Sequence, residues 1–118
     1  MKADIKLYIR AQARSAGVAI GPGKIALLEA IADTGSITAA AKKLGMSYRR
    51  AWLLVQETNS CLVEPAVSTA AGGQDGGGTA LTAVGQELVR RYRELERQTE
   101  GTVKRKLDKL LRVLADNK

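Results

Sequence analysis

The sequence has no histidine and no phenylalanine, a single cysteine and two prolines. Zinc sites draw on several His or Cys ligands, and Ser or Cys nucleophiles usually lean on a neighbouring imidazole, so the composition argues against a zinc finger or a hydrolase, and no catalytic set, metal or cofactor is implied. Cys61 has no partner within the chain and reads as a small apolar filler. Signal-peptide character is missing, as is any apolar run of roughly 20 residues, which implies a reducing, cytoplasmic setting and no membrane partner. Aromatic residues make up 3% of a chain that is 45% apolar. The core must therefore come from Ala, Leu, Val and Ile, a composition suited to small, close-packed helices.

What the chain does have is positive charge. Its 118 residues suffice for one domain, and 19 Lys and Arg against 12 Asp and Glu leave a net charge of +7. Such a balance points to a polyanionic partner, nucleic acid or an anionic surface. Residues 1–60 carry +5 and residues 101–118 carry +4, whereas 61–81 carry −2 and 82–100 are neutral. The basic surface lies in the first half and the C-terminal tail.

Asp4 to Ala11 alternates, with Ile5, Leu7 and Ile9 on one side and Lys6, Tyr8 and Arg10 on the other, which predicts a short edge strand. After Gly21-Pro22-Gly23, the spacing of Ile25, Leu28 and Ile31 predicts a first helix to about Thr34, with Pro22 in its first turn. Ser36 stands at the N-cap position of a second, short helix carrying Ile37, Ala40, Ala41 and Leu44, and Gly45 ends it. Ser47 caps a third helix, about 47–59, whose apolar face is expected to include Ala51, Trp52, Leu54 and Val55. Two short helices joined by Gly-Met-Ser, the first rich in alanine so that the second can cross it closely, are the signature of a helix-turn-helix.

Residues 63–81 follow as a β-like stretch around Val63, Pro65 and Val67, a Gly-rich run, and a returning strand Thr79-Ala80-Leu81. A flexible-tipped hairpin directly after the third helix is the layout of a winged helix. Thr82 caps a long helical pattern in which Leu88, Tyr92, Leu95, Thr99, Val103, Leu107, Leu110 or Leu111, and Leu114 recur three or four residues apart. A seam of that length predicts pairing with the same helix of a second chain. Gly101 leaves open one helix, a kinked one or a helix pair. The expectation is one domain, mostly α with a small β component: a winged helix-turn-helix in 1–81 and a dimerisation helix or helix pair in 82–118.

The run GSITAAAKKLGMSYRRAW, followed by a Gly-rich loop and LTAVGQELV, resembles the N-terminal winged-helix domain of the ModE-type molybdate-responsive transcriptional regulators, itself similar to the LysR-type DNA-binding domain. The resemblance covers roughly residues 20 to 98. It implies a dimeric regulator whose third helix enters the major groove of double-stranded DNA and whose wing touches the neighbouring backbone. Full-length members of that family also carry oxyanion-binding domains, which lie beyond the matched positions. Molybdate sensing is therefore not carried over, and the chain is expected to lack that domain. At the wing tip, Gln74 and Asp75 stand where a basic residue would suit a phosphate, which leaves backbone N–H contacts through the glycines.

The first turn of the third helix is the part nearest base edges in a docked helix-turn-helix, which makes Tyr48, Arg49 and Arg50 the base-reading candidates, with Gln56 and Leu53 further along. Arginine can form two parallel hydrogen bonds to guanine O6 and N7. Phosphate candidates are Ser36 and Thr38 at the start of the second helix, Lys42 and Lys43 on it, Ser47, and the wing glycines Gly73, Gly76 and Gly77. Ser36 serves first as a cap. Two other readings remain open: a winged-helix protein-interaction module, and a small oxyanion-binding protein suggested by the family association alone.

Overall fold

The computed structural model describes residues 3–12, 17–69 and 78–114. Among these residues, four helices and two antiparallel hairpins follow in the order β1 (Ile9–Gln12), β2 (Gly17–Ile20), α1 (Pro22–Thr34), α2 (Ile37–Leu44), α3 (Tyr48–Cys61), β3 (Val67–Thr69), β4 (Thr79–Leu81) and α4 (Ala83–Leu111).

The core is centred on α1, where Ile25, Leu27, Leu28 and Ile31 are at most 1% exposed. Each such side chain contributes roughly 1.5–3 kcal/mol by leaving water. Pro22 occupies the first turn of α1, and Gly35, at φ 72°, ends it in the left-handed conformation that glycine adopts without strain. The side chains that α2 buries are alanines, Ala40 and Ala41, so α1 and α3 can approach its backbone closely. The Ser36 hydroxyl accepts from Ala39 N at 3.1 Å, and the Ser47 hydroxyl accepts from Arg50 N at 3.1 Å, as the sequence predicts for both caps.

On α3 the buried face is narrow, consisting of Ala51, Val55 and Thr58. The Thr58 hydroxyl donates to Leu54 O at 2.7 Å and so is not left unpaired. Trp52 corrects the sequence reading. Expected in the core beside Ala51 and Val55, it is 44% exposed, because it lies at the flank of a face that only one row of residues presents inward.

The wing strands pair with Val67 opposite Leu81, Ser68 opposite Ala80 and Thr69 opposite Thr79. Thr79 N donates to Gly35 O at 3.0 Å, which ties the wing to the turn between α1 and α2. Thr82 closes the other end: its hydroxyl accepts from Gly85 N and donates to Pro65 O at 2.6 Å, while its N–H donates to Ala66 O at 2.8 Å.

Helix α4 runs unbroken through Gly101 as one 29-residue helix, which rules out the helix pair. Its first half belongs to this chain's own core. Tyr92, predicted on a seam facing a second chain, is 2% exposed and donates its hydroxyl to Leu7 O at 2.6 Å. Helical periodicity marks a buried stripe but not whose chain covers it. Burial pushes the Tyr92 phenol above its ordinary range, and the neighbouring Glu96 carboxylate adds to this. One residue on, Arg93 grips Glu29 of α1 through two N–H donors, at 2.5 and 3.0 Å, and Glu96 through a third at 2.8 Å.

The N-terminal segment alternates as expected, with Ile5, Leu7 and Ile9 partly buried and Lys6, Tyr8 and Arg10 exposed. The paired part is confined to its end, however, and the partner β2 was not anticipated. Gly17-Val18-Ala19-Ile20 is too short to display a period, and its anchoring residue, the buried Ile20, stands next to Gly21.

Candidate nucleic-acid interface

Helix α3 presents to solvent the half of its surface that the narrow apolar face leaves over. Tyr48 and Trp52 are one turn apart on one flank, and Arg49, Leu53 and Gln56 form the neighbouring stripe at i, i+4 and i+7. All five are exposed, as is Arg50. Glu57, the single carboxylate on α3, is drawn to Lys24 of α1 at 3.5 Å. Among the described residues, Arg49 and Arg50 have no carboxylate within 4 Å. The helix therefore begins with two adjacent guanidinium groups whose charge no carboxylate among the described residues offsets.

The other predicted residues take distinct places. Ser36 and Ser47 have their hydroxyl oxygens engaged as caps. Thr38 and Lys42 are exposed on α2, and Lys43 is exposed but paired with Asp33 at 3.2 Å. The first turn of α2 faces the start of α3: Ser36, Thr38, Tyr48, Trp52, Thr69 and Thr79 line one open cleft of about 320 Å³. Gly73, Gly76 and Gly77 lie outside the described residues.

The predicted α4 seam divides in two. Leu88 packs on the core with Tyr92, whereas Leu95, Leu110 and Leu114 are about half exposed and Val103, Leu107 and Leu111 are partly covered. Leu107 shares a cleft with Ala3 and Ile5 of the N-terminal segment. Cys61 is a half-buried free thiol. Among the described residues there is no group of three or more His, Cys, Asp or Glu side chains suited to a metal, and no helix is long and apolar enough to cross a membrane.

Two site features escaped the sequence reading. The cleft walls Thr69 and Thr79 meet Trp52 only through the wing's tertiary placement. Asn59 at the end of α3 binds the backbone of the wing, with Oδ1 accepting from Ala66 N at 2.8 Å and from Val67 N at 3.2 Å. A polar side chain in the last turn of a helix, six residues before Pro65, was the available signal.

Comparison with known proteins agrees with this geometry. The chain is 46% identical over 80 residues to the molybdenum-pterin-binding protein MopB of Rhodobacter capsulatus, an alignment covering 68% of this chain and 30% of that protein. It is 42% identical over 94 residues to the molybdenum transport protein ModE of Azotobacter vinelandii (80% and 35% covered). With the DNA-binding transcriptional dual regulator ModE of Escherichia coli K12 it shares 39% over 92 residues (78% and 34% covered). The chain thus spans about a third of the length of these relatives. The resemblance to ModE-type proteins read from GSITAAAKKLGMSYRRAW and LTAVGQELV is confirmed for the winged-helix part. The profile of the bacterial regulatory helix-turn-helix proteins of the lysR family matches residues 23–86, from the first turn of α1 through both wing strands to the start of α4, and the chain belongs to that family.

Proposed function

We propose that this chain is a DNA-binding transcriptional regulator that acts as a homodimer, with α3 in the major groove and the wing on the adjacent backbone. The observation that carries the reading is the pair Arg49 and Arg50, exposed in the first turn of α3 and free of carboxylate partners among the described residues. They supply bidentate donors for guanine, Gln56 supplies an amide one to two turns on, and Thr38, Lys42 and Lys43 provide sequence-independent attraction to phosphate. The exposed Leu95, Leu110 and Leu114 of α4 support pairing with a second copy, which doubles the half-site. Since relatives are named for molybdenum transport, we place the regulated genes in molybdenum handling.

Equilibrium binding to a duplex across a series of salt concentrations tests this reading. Each phosphate neutralised contributes about 0.9 to the slope of log affinity against log salt, so a slope of several units is expected, and Lys42→Ala lowers it by about one. A slope near zero would remove DNA as the partner and favour a protein-interaction module.

A further inference from the structure

Trp52 is the single tryptophan of the chain, and the fold leaves 44% of it in solvent. It does not stand alone. Tyr48, one turn earlier and 53% exposed, places its ring on the same flank of α3, so the two rings form one wall of the 320 Å³ cleft. The rest of the lining is mostly hydroxyl-bearing: Ser36 and Thr38 from the first turn of α2, with the apolar Ile37 between them, and Thr69 and Thr79, the pair at the loop-side end of the wing strands. Among the described residues no charged side chain lines the cleft, although Arg49 and Arg50 adjoin it on α3.

A cleft that sets two aromatic rings and Ile37 beside four hydroxyl-bearing side chains fits a guest that is itself apolar on one side and rich in acceptors on the other. In a duplex the base faces are stacked and inaccessible, and the exposed unit with that character is a deoxyribose joined to its phosphate. Its C–H edge can lie on the indole while the phosphate oxygens take hydroxyl donors, and the two arginines favour the same polyanion. Resting on the DNA-binding reading above, we propose that Trp52, flanked by Tyr48, is the sugar wall of this cleft and holds one deoxyribose of the DNA backbone at the edge of the groove. Trp52 thereby sets how deeply α3 sits and reads no base.

The unmutated protein provides the first test, since light absorbed selectively by indole reports on Trp52 alone. Quenching by acrylamide, a neutral probe that DNA charge does not exclude, should fall severalfold when the protein is saturated with duplex. Trp52→Ala should weaken every duplex of a given length alike, by about tenfold, with the salt slope and base preferences unchanged, and Trp52→Phe should recover most of the loss. Unchanged quenching on a duplex that demonstrably binds would overturn the proposal. So would a Trp52→Ala loss that tracks a single base pair and is reproduced by replacing thymine with uracil there, since the indole would then be reading a methyl group. Failure of the unmutated protein to bind any duplex is read separately, by retention, and rejects the DNA-binding reading itself.

Discussion

Asn59 holds Val67 by both sides of its backbone: Oδ1 accepts from Val67 N at 3.2 Å and Nδ2 donates to Val67 O at 3.4 Å. A third bond, from Ala66 N at 2.8 Å, completes the clamp. The last turn of α3 and the first strand of the wing are thus joined by one side chain, and the two elements assigned to DNA move as one. Asn59→Ala strands buried backbone N–H groups and should cost about 1–3 kcal/mol. Asn59→Asp keeps both acceptor bonds, loses the donor and should fall between. Denaturant melts of the three proteins check the order, and equal stabilities would refute the clamp.

Two glycines of α4 should respond to alanine with opposite signs. Replacing an interior helical glycine favours the helix by about 1 kcal/mol. At Gly101 a Cβ meets nothing within 4 Å, so Gly101→Ala should raise the melting temperature. At Gly85 the Cβ would collide with the carbonyl of Ala66, which is held in place by Thr82 N. Gly85→Ala should therefore destabilise by about 1–3 kcal/mol despite the better propensity. Thermal melts of the two variants would contradict the packing of α4 on the wing base if both shifted upward.

Tyr92 makes a prediction in pH. Burial holds its phenol above the ordinary value, so the folded protein keeps a proton that the unfolded chain gives up near pH 10. Its contribution is fully present below the unfolded pKa and is lost as pH rises through the folded one. Tyr92→Phe should cost about 0.5–1.5 kcal/mol at neutral pH for the lost bond to Leu7 O. It should also decline less steeply than the parent between about pH 9 and 11. Parallel alkaline limbs in the two melting profiles would show that Tyr92 does not carry the proton.

Much of this architecture is readable in the sequence because it is written in local chemistry. Ser36, Ser47 and Thr82 each cap a helix through a hydroxyl three residues ahead of the N–H it accepts from, and Gly35 and Gly45 end helices at positive φ. The residues that misled are those whose environment is decided by tertiary contacts. Trp52 is apolar and adjacent to Ala51, yet 100° around the helix from it, so only the position of α1 and α2 determines that it faces out. Tyr92 repeats with Leu88 and Leu95 as a partner-facing seam would, but the N-terminal segment reaches it first. The site was readable to the extent that helix starts are: Arg49 and Arg50 follow a cap and stand exposed. The cleft they adjoin needed the wing to be placed.

The central claim is that α3 reads sequence in double-stranded DNA, and recovery and sequencing of genomic fragments bound by the purified protein at near-physiological salt tests it most directly. The account predicts a shared, roughly palindromic motif, with Arg49→Ala or Arg50→Ala relaxing the preference at defined positions of each half-site. Uniform recovery of all fragments, or none, would contradict it.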